Sequence, residues 1–510
     1  MKTDKKAVII DLYSDEPSGL GVPPFIGTYP RYVYGALKLL GYTTYYITID
    51  DIRLWKDYNF KPNRLKKSEK TKKDIINLTI NSNVVNKILE KAKLIVVNCG
   101  FHTPGKYLTA KPGSLKEIEF IKHYKSNKVL IGPMAYGIGS SYIGGRSSNK
   151  EQQLIKEIFD EPNPNFLDIE NYNKVAKYAV AGAELISQLR WNYVICEIEL
   201  GRGCTRPIGC SFCTEPIKHR LEFRLKSDII KELRALKKEG IKAIRFGKQS
   251  DFYSYLITKN KNNHEEIEKL LRSSSKIGFD VIHIDNVDPR SVISEKGIKI
   301  TKSIVKYCSD GNIASFGVES FDEHVIKLNN LNTTPEITMK AIRIINKYGK
   351  NYGKRGLPKF LPGINILLGL IGETKQTLDI NFNYLKKILD QGLWIRRINI
   401  RQVVGFKGTR YHSLKGWKYI KKNKKYYYRF IRDVRVNIDH QMLMNMFPKG
   451  HKIRDVVIEI KEGSKKFGRN IGGYPIIIGV DDKSDQLIIG KRYNVEVVGH
   501  ELRSLVGRVI

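Results

Sequence analysis

Long apolar runs are missing from this chain of 510 residues: no stretch approaches the roughly 18 consecutive apolar residues of a membrane-spanning helix, so no membrane partner is expected. The apolar run near the start, Ala7 to Ile10, is closed by Asp11 and is too short for a secretory signal core. Cysteine is scarce, six in all, and three of the six fall between positions 204 and 213. That crowding suits a metal centre in a reduced, cytoplasmic compartment and excludes a secreted disulfide framework. Acidic side chains are also few: 52 Asp and Glu face 89 Lys and Arg, a formal net charge of +37. Such a balance favours a polyanionic partner, against a background of solvated lysines. With 41% hydrophobic residues the chain can still build substantial cores, and its length suggests about three domains.

What is present is organised around Glu199-Leu-Gly-Arg-Gly-Cys204-Thr-Arg-Pro-Ile-Gly-Cys210-Ser-Phe-Cys213, a C-x5-C-x2-C spacing. An apolar run, Tyr193 to Ile198, leads into it and reads as a strand ending in a cysteine-bearing loop. Soft thiolates this close together select zinc or an iron–sulfur cluster. Three are one short of a closed four-thiolate site. His219 would complete a zinc site; in a [4Fe–4S] cluster one iron would stay open to a small molecule.

Before this loop, strands alternate with helices. Ala7–Leu12, Thr43–Ile49, Leu94–Val97 and Val129–Ile131 read as strands, Arg31–Leu40 as a helix, and Ser114 with Glu117 as a capping box. Positions 53–73 read as a solvated lysine-rich insertion, and Gly19, Gly21, Pro23 and Pro24 as a turn-rich loop. The pattern predicts a parallel α/β layer. After the loop, strands are expected at Ala243–Phe246, Val281–Ile284, Ile313–Val318, Ile364–Leu370 and Ile395–Val403, with helices between them. In the last strand Ile398 and Ile400 share one face, and Arg397, Asn399 and Arg401 the other. If the polar face lines a barrel, an arginine there can clamp a carboxylate bidentately; solvent-facing or structurally paired arginines are the alternative.

The cysteine loop, with aromatic Phe212 just before the last cysteine, resembles that of radical S-adenosylmethionine (SAM) enzymes, although it is two residues longer than their usual C-x3-C-x2-C. The resemblance continues through Gly247-Lys-Gln-Ser250, Ile284-Asp-Asn-Val-Asp-Pro289, Gly317-Val-Glu-Ser320 and Gly369-Leu-Ile-Gly-Glu-Thr374. It implies a Rossmann-like α/β domain at 1–186 and a partial (β/α)6 barrel at 187–412. It also implies a [4Fe–4S] cluster on Cys204, Cys210 and Cys213, with Phe212, Gln249, Asn286, Glu319 and Ser320 around SAM. The Asp-x-His-x-x-Gly motif of cobalamin-dependent members does not occur between Met1 and Trp191, so cobalamin is not expected.

Beyond Thr409, the basic run Lys421–Lys425 and a helix over Tyr426–Met446 make a connector at 413–450. Short strands at Val456–Ile460, Pro475–Val480, Leu487–Ile489, Tyr493–Val498 and Leu505–Ile510 then suggest a small barrel at 451–510. Phe467-Gly-Arg-Asn-Ile-Gly-Gly-Tyr-Pro475 resembles the signature of TRAM domains, OB-like tRNA-binding barrels. Lys465, Lys466, Arg469, Arg492, Arg503 and Arg508 are the candidate phosphate contacts and Tyr474 the candidate stacking face. The combination resembles tRNA-modifying enzymes. Methylthiotransferases share the layout, but need three N-terminal cysteines where this chain has only Cys99 before Cys196. The stretch Asp15-Glu-Pro-Ser-Gly-Leu-Gly-Val-Pro-Pro24, the five-residue cysteine gap and Ile284-Asp-Asn286 are similar to the archaeal family that includes the archaeosine-forming lyase. That resemblance implies C–N cleavage of a lysine-modified 7-deazaguanine in tRNA. Arg401, with Arg397 second, would orient the lysine carboxylate. A lysine-transferring tRNA enzyme and an external electron donor would be partners. A non-catalytic, zinc-containing RNA-binding protein is the reading from a different class.

Overall fold

The computed structural model describes residues 5–13, 24–58, 77–100, 111–136, 149–191, 193–260, 262–482 and 485–510. The turn-rich loop as far as Pro23 and most of the expected insertion at 53–73 lie outside these residues; the start of the insertion is helical rather than irregular. Two compact units form. One comprises Met1–Leu200, Arg224–Ile244 and Val404–Gly408, the other Gly201–Phe223, Arg245–Val403 and Thr409–Ile510. No described helix is long and apolar enough to cross a membrane.

In the first unit, β1 (Lys6–Asp11), α1 (Thr28–Leu39), β2 (Thr43–Thr48), α2 (Ile49–Tyr58), β3 (Leu94–Asn98), β4 (Asn127–Ile131) and β5 (Glu161–Pro162) make a sheet ordered β2-β1-β3-β4-β5. Its strands are all parallel, as the alternation predicts. Strand β6 (Ile195–Glu199) belongs to this unit, as does α3 (Lys226–Lys238). A buried ion cluster explains why. Glu232 on α3 accepts from Arg31 Nη1 of α1 at 2.5 Å and from Arg224 Nη1 at 2.6 Å, and all three side chains are essentially without solvent. Arg31 Nη2 also donates to the Glu197 carbonyl on β6. Charges so buried persist only when mutually paired, and removing one partner strands the others.

The strand β7 (Ala243–Gly247) has residues in both units and lies beside β8 (Val281–Ile284). The second unit continues with β9 (Asn286–Val287), β10 (Asn312–Glu319), β11 (Phe360–Leu368) and β12 (Arg397–Gln402), a parallel sheet in that order. The amphipathic helices α4 (Asn263–Ser275), α5 (Glu295–Tyr307), α6 (Pro335–Gly349) and α7 (Lys375–Asp390) alternate with these strands. The C-terminal segment is a closed barrel of β13 (Lys452–Glu462), β14 (Lys465–Asn470), β15 (Ile477–Asp481), β16 (Arg492–His500) and β17 (Ser504–Val509). Strand β14 has no apolar alternation to betray it, because its buried positions are Lys466, Gly468 and Asn470. The expected strand at Leu487–Ile489 does not form. The backbone N–H groups of Gln486 and Leu487 instead donate to the Asp482 carboxylate.

Between sheet and barrel runs α8 (Trp417–Val434), which starts earlier than expected; it absorbs the basic run and passes through a π-helical turn into His440–Met446. Its inner face, Ile420, Asn423, Tyr427, Phe430 and Val434, is buried. The helix docks on the turn Gly369–Thr374, where Gly369 has φ +91° and a Cβ would meet Ile420 Cγ1 at 2.2 Å, so no other residue fits. Buried Glu373 holds the helix there. It accepts from Tyr427 Oη at 2.5 Å, from Asn423 Nδ2 and from the Gly369 N–H. Burial pushes this carboxyl up to about 7, against the pull of those donors.

A carboxyl raised from 4.5 to about 7 keeps its proton in the folded protein after the unfolded chain has lost it. Its contribution is therefore full below pH 4.5 and is lost as pH rises through 7. Glu373→Gln should remove that component. Thermal unfolding at pH 5 and pH 8 should show the wild type losing ground to the variant on going to the higher pH. A wild-type-to-variant difference independent of pH would contradict the assignment.

Candidate active site

The cysteine loop follows β6 and contains little regular structure, so other segments must hold it. Asn329, fully buried, does most of this. Its Oδ1 accepts from Ser211 Oγ at 2.7 Å and from the Ile371 N–H, its Nδ2 donates to the Ile371 and Val325 carbonyls, and its own carbonyl accepts from the Ser211 N–H. The loop is thereby tied to the turn that ends β11. On its other side, Ser250 Oγ donates to the Gly203 carbonyl at 3.1 Å, a link to the turn that ends β7. Tyr411 completes the clasp, with its N–H on the Ser211 carbonyl and its hydroxyl on the Gly369 carbonyl at 2.7 Å.

Cys204, Cys210 and Cys213 are half-buried and free, whereas Cys99, Cys196 and Cys308 are buried in cores. The three loop thiols lie within electrostatic reach of one another, and Cys210 within reach of Glu319. Burial pushes Cys210 up to about 11, and Arg206, whose Nη1 donates to its sulfur at 3.2 Å, draws it back. Burial likewise pushes Cys213 up to about 12. Thiols this reluctant to ionise alone become thiolates when a metal supplies the charge. Among the described residues no three or more His, Cys, Asp or Glu side chains close up as a single-ion cage.

The strand ends bring the other predicted residues to the same end of the sheet. A register shift between Phe316 and Glu319 bulges β10, and Glu319 takes φ +64°. The bulge re-aims its side chain. Gly317 leaves it room: a Cβ there would stand 3.2 Å from Glu319 Oε1. Glu319 Oε2 is buried without a hydrogen bond, and burial pushes the carboxyl up to about 8 although the Arg401 guanidinium lowers it. Gln249 is buried, donating from Nε2 to the Phe246 carbonyl, and its Oε1 is also left without a partner. Asn286 Nδ2 donates to the Gln249 carbonyl at 3.2 Å. Phe212 is half-buried within the loop. Ser320 is buried and points away from this group, with its hydroxyl 3.4 Å from Asn381 Oδ1 and accepting from the Asp322 N–H. Orphaned acceptors on Glu319 and Gln249 beside a three-thiol loop fit a cluster carrying a polar ligand on its open iron.

The two arginines of β12 part company. Arg401 is half-buried beside Glu319 and forms no hydrogen bond or ion pair among the described residues. Arg397 stacks on Tyr474, 4.4 Å from guanidinium carbon to ring centre. Tyr474 is not the exposed stacking face expected of it. The loop Gly472-Gly-Tyr474 of the C-terminal barrel enters the core, where Tyr474 Oη donates to Asp285 Oδ1 at 2.5 Å and lies 2.9 Å from Ser315 Oγ. His283 accepts from the Gly473 N–H, and Arg396 Nη2 donates to the Tyr474 carbonyl. The other barrel residues named for phosphate contact are mostly committed to carboxylates. Lys466 pairs with Asp482 and Asp485, and Arg469 with Glu459 through two nitrogens. Arg492 pairs with Asp280, Arg503 with Asp439 and Arg508 with Glu496; Lys465 alone of the set is exposed and unpaired among the described residues. Sequence reasoning missed Asn329, Arg206 and Tyr411, which no local motif marks.

The sequence profile of the Radical SAM superfamily matches residues 198–384, the span from the cysteine loop to α7. The Methanocaldococcus jannaschii protein MJ0274 is 42% identical over 99% of this chain and 93% of its own length. A protein of Archaeoglobus fulgidus is 38% identical over 94% of this chain and 85% of its own. Among solved structures, the radical S-adenosylmethionine methyltransferase TsrM from Kitasatospora setae, determined with cobalamin and a [4Fe–4S] cluster, superposes with a TM-score of 0.50. It shares 12% identity, over 80% of this chain and 77% of that one, and so shares the fold.

Asn329→Ala leaves the Ile371 carbonyl and the Ser211 hydroxyl unpaired, at about 1–3 kcal/mol for each buried group. It should lower the unfolding free energy by that order and reduce the iron retained after anaerobic purification. Full iron retention in the variant would show that the loop is held without Asn329.

Proposed function

The chain belongs to the radical SAM superfamily, and on that premise we propose that it is a radical SAM enzyme acting on RNA of the tRNA class. The cofactors are a [4Fe–4S] cluster and SAM. The observation that carries the reading is the meeting of the three-thiol loop with the orphaned acceptors of Glu319 and Gln249. Cys204, Cys210 and Cys213 hold the cluster, and Gln249, Asn286 and Glu319 receive the polar groups of SAM. When bound, the pair supplies a 5′-deoxyadenosyl radical for hydrogen abstraction; the protein positions it and excludes water. Arg206 offsets negative charge on Cys210. Arg401, beside Glu319 but without a hydrogen bond or ion pair among the described residues, is available to a substrate carboxylate or phosphate, which the stacked Arg397 is not.

The net charge of +37 supports RNA as the substrate class. The archaeosine-forming C–N lyase remains the finer reading and rests on motif resemblance. A second, methylthiotransferase-type cluster is disfavoured, since Cys99 is buried in the core of its own unit.

Anaerobically purified protein should contain about four iron and four sulfide per chain. With SAM and a reductant it should release 5′-deoxyadenosine. Replacing Cys204, Cys210 or Cys213 with Ala should abolish both; replacing Cys308 should not. Arg401→Lys keeps the charge but loses the planar fork, so it should impair turnover of tRNA while leaving iron content intact. One zinc without iron would refute the class. Deoxyadenosine formed while a lysine-modified deazaguanine tRNA stays intact would refute the lyase.

A further inference from the structure

The expected RNA surface on the C-terminal barrel is largely consumed by internal ion pairs, yet the charge has to reside somewhere. Helix α8 carries seven of the cations and a single carboxylate, Asp433. Its inner face is fixed by packing on Gly369 and by the Glu373 cluster. That leaves Lys418, Lys421, Lys422, Lys425, Arg429 and Arg432 exposed on the opposite face. Their spacing of three and four residues aligns them in one stripe. At 1.5 Å per residue the stripe runs for about 21 Å. In its midst the ring of Tyr428 is 79% exposed. Asp433 pairs only with Arg429 and Arg432, so Lys418, Lys421, Lys422 and Lys425 carry no ion pair among the described residues.

From this we infer that the outer face of α8 is the RNA-docking surface of the enzyme, engaging the phosphate backbone through the lysine stripe and a base through Tyr428. The proposal rests on the reading of RNA as substrate. Cations aligned on a rigid, pre-ordered helix meet a polyanion without paying to order themselves, and an exposed ring offers a sequence-tolerant stacking platform. An anionic membrane fits less well. A surface helix enters a bilayer with its apolar face, and here that face is already buried against the protein. The helix also stands on the turn that Asn329 joins to the cysteine loop, so RNA held on α8 is held at the cluster end of the same unit.

The test uses the full chain and a fluorescein-labelled tRNA transcript, with binding read by anisotropy across a salt series. The variant Lys421→Ala, Lys422→Ala, Lys425→Ala keeps good helix formers, so folding is preserved. It should weaken binding about a hundredfold near 0.15 M salt and flatten the salt slope by about 2 to 3, from the loss of three phosphate contacts. Tyr428→Ala should weaken binding about fivefold or more with the slope unchanged. The Lys→Arg triple should bind as the wild type does. The control Lys465→Ala, Arg503→Ala, Arg508→Ala on the barrel should change binding by less than about threefold. Wild-type affinity and slope in the α8 triple, or a larger loss in the barrel control, would overturn the docking face while leaving RNA as substrate. No tRNA binding by the wild type, or binding to phosphatidylserine vesicles in its place, would overturn both. In every case SAM-dependent release of 5′-deoxyadenosine reports separately on the radical SAM assignment.

Discussion

In the cysteine loop only Gly201 and Arg202 pair in a ladder, with Phe223 and Glu222, and the amide of Asn329 holds the part that carries Cys210 and Cys213. One buried side chain bonds the loop at Ser211 and the β11 turn at Ile371, using both its oxygen and its nitrogen. The polar groups it ties together are inaccessible to water, so each depends on the others for its hydrogen bonds. The same turn accepts α8 through Gly369 and Glu373. Cluster loop, strand end and basic helix thus share one set of buried hydrogen bonds, and a change at any of them reaches the others through short, identifiable links.

The interior of the second unit is divided by height along its strands. Around Ser315 in the middle of β10 and Arg397 at the start of β12, Tyr474 from the C-terminal barrel bonds Asp285 and Ser315 and stacks on Arg397. Near the strand ends, Glu319 and Gln249 retain orphaned acceptors, and Arg401 forms no hydrogen bond or ion pair among the described residues. Satisfied polar clusters specify structure, and unsatisfied ones mark places that await a ligand. The C-terminal barrel therefore serves the core as a plug, through a loop that the TRAM-like signature presents as an outward recognition surface.

Much of this arrangement is legible in the sequence. The β/α alternation follows from hydrophobic periodicity, and the cysteine spacing singles out the loop that the structure ties to two strand ends. That Arg397, Asn399 and Arg401 share one face follows from the two-residue period of a strand; which side that face takes does not. What periodicity cannot carry is register and long-range pairing. The bulge that re-aims Glu319 is a local slip against β11, and no residue type announces it. Tyr474 reads as an exposed aromatic because its partners lie roughly 80 to 190 residues away in the chain. The lysines and arginines of the barrel look free because Glu459, Asp482, Asp280 and Asp439, some of them near in the chain and some far, come to them only once the strands have paired. The run at 421–425 belongs to a helix that begins earlier than the sequence suggests. Read as a basic run ahead of the connector helix, it lies within that helix, with Asn423 on the buried face and apolar residues spaced three and four apart on both sides of it.

The central claim is that Cys204, Cys210 and Cys213 present a cluster with one iron open to SAM. Electron paramagnetic resonance of the reduced protein, recorded with and without SAM, tests it most directly. The account predicts the signal of a reduced [4Fe–4S] cluster whose g-values shift when SAM is added, with both signal and shift lost in Cys210→Ala. A cluster signal indifferent to SAM, or no iron signal at all, would contradict it.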